Sequence, residues 1–315
     1  MIVILGRVEL LLFPNNRTSC MMYYRRKVLL SIFEAFGGEL GKIDLQKLLL
    51  IYTRYQAKPS FDFLPHLYGC YSFQAGFDLR ALKTYGYIKE HDKKWSLIKK
   101  DAYAPLLKKD DQDHLKFLHR KYASYNTSDL IKTTYIQEPY YAIRSEIAET
   151  VLSPVELERV KRYIPNKSGT RLFTIGYEGI SIETYFNKLI TNGIKVLCDV
   201  RRNPLSQKVG FSKSELKYIC DAVGITYVHI PQLGIASEKR QNLETQKDYN
   251  LLFEDYEKNQ LIHQGEYLGQ ILNILQKKER VALTCFEASY IQCHRSRVAN
   301  AVTSLPEWDY ELIHI

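Results

Sequence analysis

No stretch of this sequence is apolar for long enough to span a bilayer, and no Cys-x-x-Cys pair, internal repeat or low-complexity tract is present. The first absence argues against a helical membrane span. The second, with six cysteines scattered at positions 20, 70, 198, 220, 285 and 293, argues against both a disulfide framework and tight structural-zinc spacing. The expectation is free thiols in a reducing cytoplasm, with neither metal nor cofactor bound. The apolar opening, Met1 to Phe13, has the look of a signal peptide. Arg7 and Glu9 interrupt it, however, and no small-residue cleavage site follows. A frayed strand, or an overlong start upstream of Met21 or Met22, is the better reading, and residues 1–24 stay unassigned.

Charge of one sign is abundant. The 315 residues carry a formal net charge of +9 and include 24 tyrosines. Cations for phosphates and flat rings for bases are what a nucleic-acid surface needs. The length predicts two domains, and a hydrophobic content of 45% is enough for a sizeable core. The linker falls at Pro165-Asn-Lys-Ser-Gly169, between a region spanning 25–165 and one spanning 170–315.

The first region reads as mostly helical. Val28, Leu29, Ile32 and Phe36 share a face of a helix stopped by Gly37-Gly38. Asp44 is placed to cap a second helix over Leu45–Tyr52. A loop covers Phe61 to Gly69, and a third helix runs from about Ser72 to near Gly86. Tyr87 to Ile98 alternates about a polar turn, the signature of a hairpin. Three helices and a hairpin is the order of a winged helix, whose third helix reads DNA while the hairpin touches the backbone. Lys83, Lys93 and Lys94 are then candidate phosphate contacts, and Tyr140 and Tyr141 candidate stacking platforms. The plainer alternatives are a solvated hairpin edge and tyrosines spent on packing.

From Thr170 the pattern changes. Strands are predicted at 171–176, 194–200, 225–230, 280–286 and 309–315, with helices at 181–192, 212–223, 247–258, 265–277 and 293–303. This alternation predicts an α/β fold: a parallel, flavodoxin- or Rossmann-like sheet covered on both faces. Three strands end in polar residues: Tyr177-Glu178, Asp199-Val-Arg-Arg202 and Cys285-Phe-Glu287. Strand ends line the binding crevice of such a sheet, so these groups should meet, with Cys293-His294-Arg295 opening the next helix.

The series Thr174-Ile-Gly-Tyr-Glu-Gly179, Asp199-Val-Arg201 with Asn203-Pro204, Tyr227-Val-His-Ile-Pro-Gln-Leu-Gly234, and Ala282-Leu-Thr-Cys285 with Cys293-His-Arg295 resembles the motif series of the domain-of-unknown-function family 488. The resemblance covers about 170–303 and implies the same α/β fold. The helical part ending in Pro139-Tyr-Tyr-Ala-Ile143 resembles an extension in longer members. Some members resembling that architecture act in phage defence as DNA glycosylases on hypermodified cytosine. The resemblance therefore implies an enzyme that excises a modified base, such as glucosylated hydroxymethylcytosine, from phage DNA and leaves abasic sites. In the loop Phe286 to Gln292 this chain has Tyr290 and Ile291 where charged or proline-rich residues are common.

Base excision needs grips on phosphate, a surface for the extruded base and a carboxylate near the anomeric carbon. Asp199 is the first choice for that carboxylate, with Arg201 keeping it ionised. Its alternative is a purely structural pair with Arg201 or Arg295. Glu287 is the second carboxylate and Glu178 the third. Tyr177, Arg201, Arg202, Lys208, Cys285, Cys293, His294 and Arg295 are assigned to substrate or phosphate. Cys285 is either a nucleophile or a buried filler, and nine residues separate it from Arg295, too many for a rhodanese-type loop. His294 is an optional general acid. Cys285, Cys293, His294 and His229 lack zinc-finger spacing, so no metal site is expected. A hydrolase or transferase acting on a nucleotide derivative and a non-catalytic DNA-binding regulator remain as alternatives.

Overall fold

The computed structural model describes residues 22–165, 168–240 and 243–315. The apolar opening, Cys20 and the Asn166-Lys167 part of the linker lie outside the described residues. The first region runs α1 (Tyr24–Ala35), β1 (Glu39–Gly41), α2 (Lys42–Tyr55), β2 (Leu64–His66), β3 (Gly69–Tyr71), α3 (Phe73–Thr84), β4 (Ile88–His91) and β5 (Lys94–Leu97). Four helices follow: α4 (Lys109–Tyr122), α5 (Thr127–Gln137), α6 (Ala148–Val151) and α7 (Pro154–Lys161).

Two local readings change. Asp44 is not the cap of α2; Gly41 is, in extended backbone. The reason is that β1 pairs with β5 and runs directly into the helix, which leaves Asp44 inside the first turn, where a carboxylate still suits the helix dipole. The segment 61–69 is not all loop, because β2 pairs with β3. Ser72 does cap α3, accepting from the Ala75 N–H at 3.2 Å. The predicted hairpin forms, and β1 joins it in an antiparallel sheet of order β1-β5-β4.

The second region alternates β6 (Arg171–Gly176), α8 (Ile182–Thr191), β7 (Val196–Asp199), α9 (Lys213–Ala222), β8 (Thr226–His229), α10 (Gln246–Asn259), α11 (Gly265–Lys278), β9 (Arg280–Cys285), α12 (His294–Thr303) and β10 (Glu311–His314). All five strands are parallel, in the order β10-β6-β9-β7-β8. The period of two along each strand divides the core. Phe173, Ile175, Leu197 and Ala282 pack with α8 and α9. Leu172, Val196, Cys198, Val281 and Leu283 pack with α10, α11 and α12 on the other face. Among the described residues no helix is long and apolar enough to cross a membrane.

The two regions meet along α8. Leu64 and Phe73 enter the same apolar cluster as Tyr185, Phe186 and Leu189. Asn187 donates to the Phe63 carbonyl at 2.7 Å, and Ser181 to Asp62 at 2.6 Å.

Candidate functional site

The strand order brings the polar ends together. β9 lies between β6 and β7, with Gly176 beside Cys285 and Asp199 beside Thr284. β6 and β7 lead into helices on one face and β9 into α12 on the other. The chains therefore part above β9 and leave a crevice. A cavity of about 280 Å³ opens there, lined by Tyr177, Arg201, Arg202, Arg240, Cys285, Phe286 and His294 among others.

Asp199 does not face this space. It is wholly buried, and both its oxygens are engaged. Oδ1 accepts from the Arg201 N–H and Nε at 3.1 and 2.8 Å; Oδ2 accepts from Arg201 Nη2 and the Tyr227 hydroxyl at 2.6 and 2.7 Å. Arg201 Nη1 donates onward to the Tyr177 hydroxyl at 2.7 Å and the Phe211 carbonyl at 3.0 Å. Burial alone would lower the Arg201 pKa, but the bonded Asp199 carboxylate outweighs it and the guanidinium is held charged. Tyr177 stacks on Phe211 with ring centroids 4.3 Å apart. Burial raises its phenol, against the opposing pull of Arg201.

Glu287 is the carboxylate beside the cavity. Its Oε1 is ion-paired to Arg240 Nη2, and its Oε2 lies 3.3 Å from Cys285 Sγ. Its side chain is 15% exposed, so it is reachable where Asp199 is not. Burial pushes this carboxyl up, but Arg240 and neighbouring donors more than offset it, and the net direction is down. Cys285 Sγ also lies 3.4 Å from His294 Nδ1. The other ring nitrogen, Nε2, is 2.9 Å from the Val200 carbonyl. A carbonyl only accepts, so Nε2 carries a proton there. Burial raises the Cys293 thiol well above its ordinary range.

Other expected ligands support the walls. Arg295 is buried and donates to the Glu287 carbonyl and, at 3.0 Å, to the Ala288 carbonyl, so it shapes the loop rather than gripping phosphate. Glu178 is exposed and accepts from the Ala288 N–H at 3.0 Å. Gly176 permits this arrangement: a Cβ there would overlap the Glu287 carbonyl. Lys208 donates to the Tyr177 carbonyl at 2.6 Å, and burial lowers its pKa. Arg202 stands exposed at the rim, 3.4 Å from the Pro231 carbonyl. His229 sits apart from the cysteines, between the Arg201 carbonyl and Lys213 Nζ.

The residues assigned to DNA lie elsewhere. Lys83 pairs with Glu90 at 2.8 Å and Lys94 with Glu39 at 2.7 Å, while Lys93 is exposed in the hairpin turn. Tyr141 is buried, with its hydroxyl accepting from Arg54 at 3.2 Å, and Tyr140 donates to Asn187 at 2.8 Å. Tyr140 is spent on joining the two regions and Tyr141 on packing within the first, against Phe63 and Arg54, so neither presents a free stacking face of the kind expected. Tyr227, Phe211 and Arg240 belong to the site and were not anticipated. Tyr227 alone carried a signal, as a polar hydroxyl in a strand ending beside Asp199.

Residues 181–302 match the family model described as Domain of unknown function DUF488. Among curated proteins nothing matches the chain.

Proposed function

Taking as premise that the chain carries a DUF488 domain over residues 181–302, we propose that it is an enzyme cleaving the glycosidic bond of a nucleotide, in its leading form a DNA glycosylase excising a hypermodified cytosine from phage DNA. The observation that carries this reading is Glu287, an Arg240-paired carboxylate touching two residues of a cavity of about 280 Å³. As a glycosidic bond breaks, positive charge grows on the sugar, and a carboxylate held in place lowers the cost of that charge. Phe286, 42% exposed on the cavity wall, offers an apolar face for an extruded base. Arg202 at the rim offers a cation to phosphate. Asp199 acts at one remove, by fixing the Arg201 guanidinium.

Incubation with glucosylated hydroxymethylcytosine DNA, and with unmodified DNA, is followed by mass spectrometry of released bases. The modified DNA alone should release its base and gain abasic sites. Glu287→Gln should slow release by about 10²- to 10⁴-fold. Intact DNA after incubation with active-site-intact protein would sink the reading.

The second reading, a hydrolase or transferase of a free nucleotide derivative, is favoured by the engagement of Tyr140, Tyr141, Lys83 and Lys94 within the protein. Turnover of a free nucleotide with no action on DNA would select it. Salt-sensitive DNA binding without any chemical change would instead support a regulator.

A further inference from the structure

We propose that Cys285, Cys293 and His294 bind one zinc ion at the base of the cavity. The two Sγ atoms and one imidazole nitrogen all lie within 4.8 Å of one another. Cys285 Sγ and His294 Nδ1 are 3.4 Å apart. Tetrahedral zinc, with bonds of about 2.3 Å to sulfur and about 2.0 Å to nitrogen, sets such neighbours roughly 3.5 Å apart.

Three further observations fit the same ion. The Val200 carbonyl holds the proton on Nε2, which turns the Nδ1 lone pair toward the sulfurs. Two sulfurs and an imidazole form a soft donor set that suits zinc and not magnesium or calcium. The donors also sit on rigid supports: Cys285 closes β9, Cys293 caps α12 and His294 opens it. All three are buried, yet Cys285 and His294 also line the cavity.

A fourth position on such an ion would be reached from the cavity side. Glu287 Oε2 is 3.3 Å from Cys285 Sγ, beside that position. Two cysteines, one histidine and an adjacent glutamate that is not a ligand are the parts with which zinc activates water against nucleobases. A zinc ion held there would supply the charge that makes a water acidic, and Glu287 would be placed to accept its proton. The inference rests on the cluster and not on which bond is cut. A chain that holds zinc and releases no base would keep it and remove the glycosylase reading.

Reduced full-length protein, stripped with a chelator, is titrated with cobalt(II) and separately equilibrated with zinc, dialysed and assayed for metal. The expected result is one equivalent of either ion. Cobalt should show a thiolate charge-transfer band and the strong visible absorption of a tetrahedral site, both lost on adding zinc. Cys293→Ser and His294→Gln should each weaken zinc binding at least 10-fold. Because the unsubstituted protein carries the spectroscopic readout, misfolding of a variant does not blunt the test. Sub-stoichiometric zinc, or cobalt bound without a thiolate band, would overturn the proposal and leave a thiol–imidazole hydrogen bond or a Cys285–Cys293 disulfide as the meaning of the cluster.

Discussion

Asp199 ends β7 and Glu287 lies just past the end of the neighbouring β9, yet their surroundings assign them different tasks. Asp199 is enclosed with Arg201, and Glu287 keeps an edge open to solvent. Asp199→Ala should therefore cost about 3–5 kcal/mol of stability, since it strands a buried guanidinium. Adding Arg201→Met should recover much of that loss, because the cation needing a partner is gone. Urea denaturation of the single and double variants checks both statements. The sequence placed both acids at the crevice edge through strand-end reasoning. It could not separate them, because Arg201 lies beyond the end of β7 and its side chain returns to the preceding acid. Strand-end reasoning also brought Cys285 toward Cys293-His294, but not to ligand-like distance, which sequence spacing does not show. Seven residues separate the two cysteines in sequence, and only the loop held by Arg295 and Glu178 folds them together. Arg240 carried no signal at all, lying at the end of a single 3-10 turn, Ser237–Arg240, too short to show a periodicity.

At the scale of elements, the second region was legible almost strand by strand. Short apolar runs alternating with amphipathic helices leave few arrangements beyond a covered parallel sheet. The first region was less so. Its three-residue strands are too short to show a period, and β1 exists only because β5 lies beside it. Helix α8 belongs to both regions, and Glu183 in its first turn is buried against the start of α3. One carboxyl oxygen accepts from the Gln74 N–H at 2.7 Å and the Ser72 hydroxyl at 3.2 Å; the other is buried without a partner. Burial raises this carboxyl to about 7, against the opposing hydrogen bonds. An acid with a raised folded-state pKa favours the folded state when protonated. Its contribution is complete below the unfolded value near 4.3 and is lost as pH rises toward about 7. The loss is on the order of 3 kcal/mol. Glu183→Gln should thus be close to neutral at pH 4 and stabilising at pH 8, flattening the pH dependence measured by thermal unfolding. An unchanged profile would contradict the assignment.

Across the whole molecule, net positive charge is not the same as a free cationic surface. The chain carries +9, but Lys42 and Lys83 share Glu90, Lys94 holds Glu39, and Arg25 and Arg26 converge on Asp78. Much of the charge in the first region works within the fold, which composition alone could not reveal. The shared helix has a further thermodynamic consequence. Severing the chain near Gly169 would unroof Phe186 and Leu189, and water would meet an oily ridge that Leu64 and Phe73 now shelter. A fragment holding only the sheet should aggregate when expressed alone, while the intact protein should melt in one calorimetric step with matching van't Hoff and calorimetric enthalpies. The crevice at one end and the helical region at the other would then rise and fall as a single cooperative body, so that damage remote from the crevice disrupts it by melting rather than by misalignment.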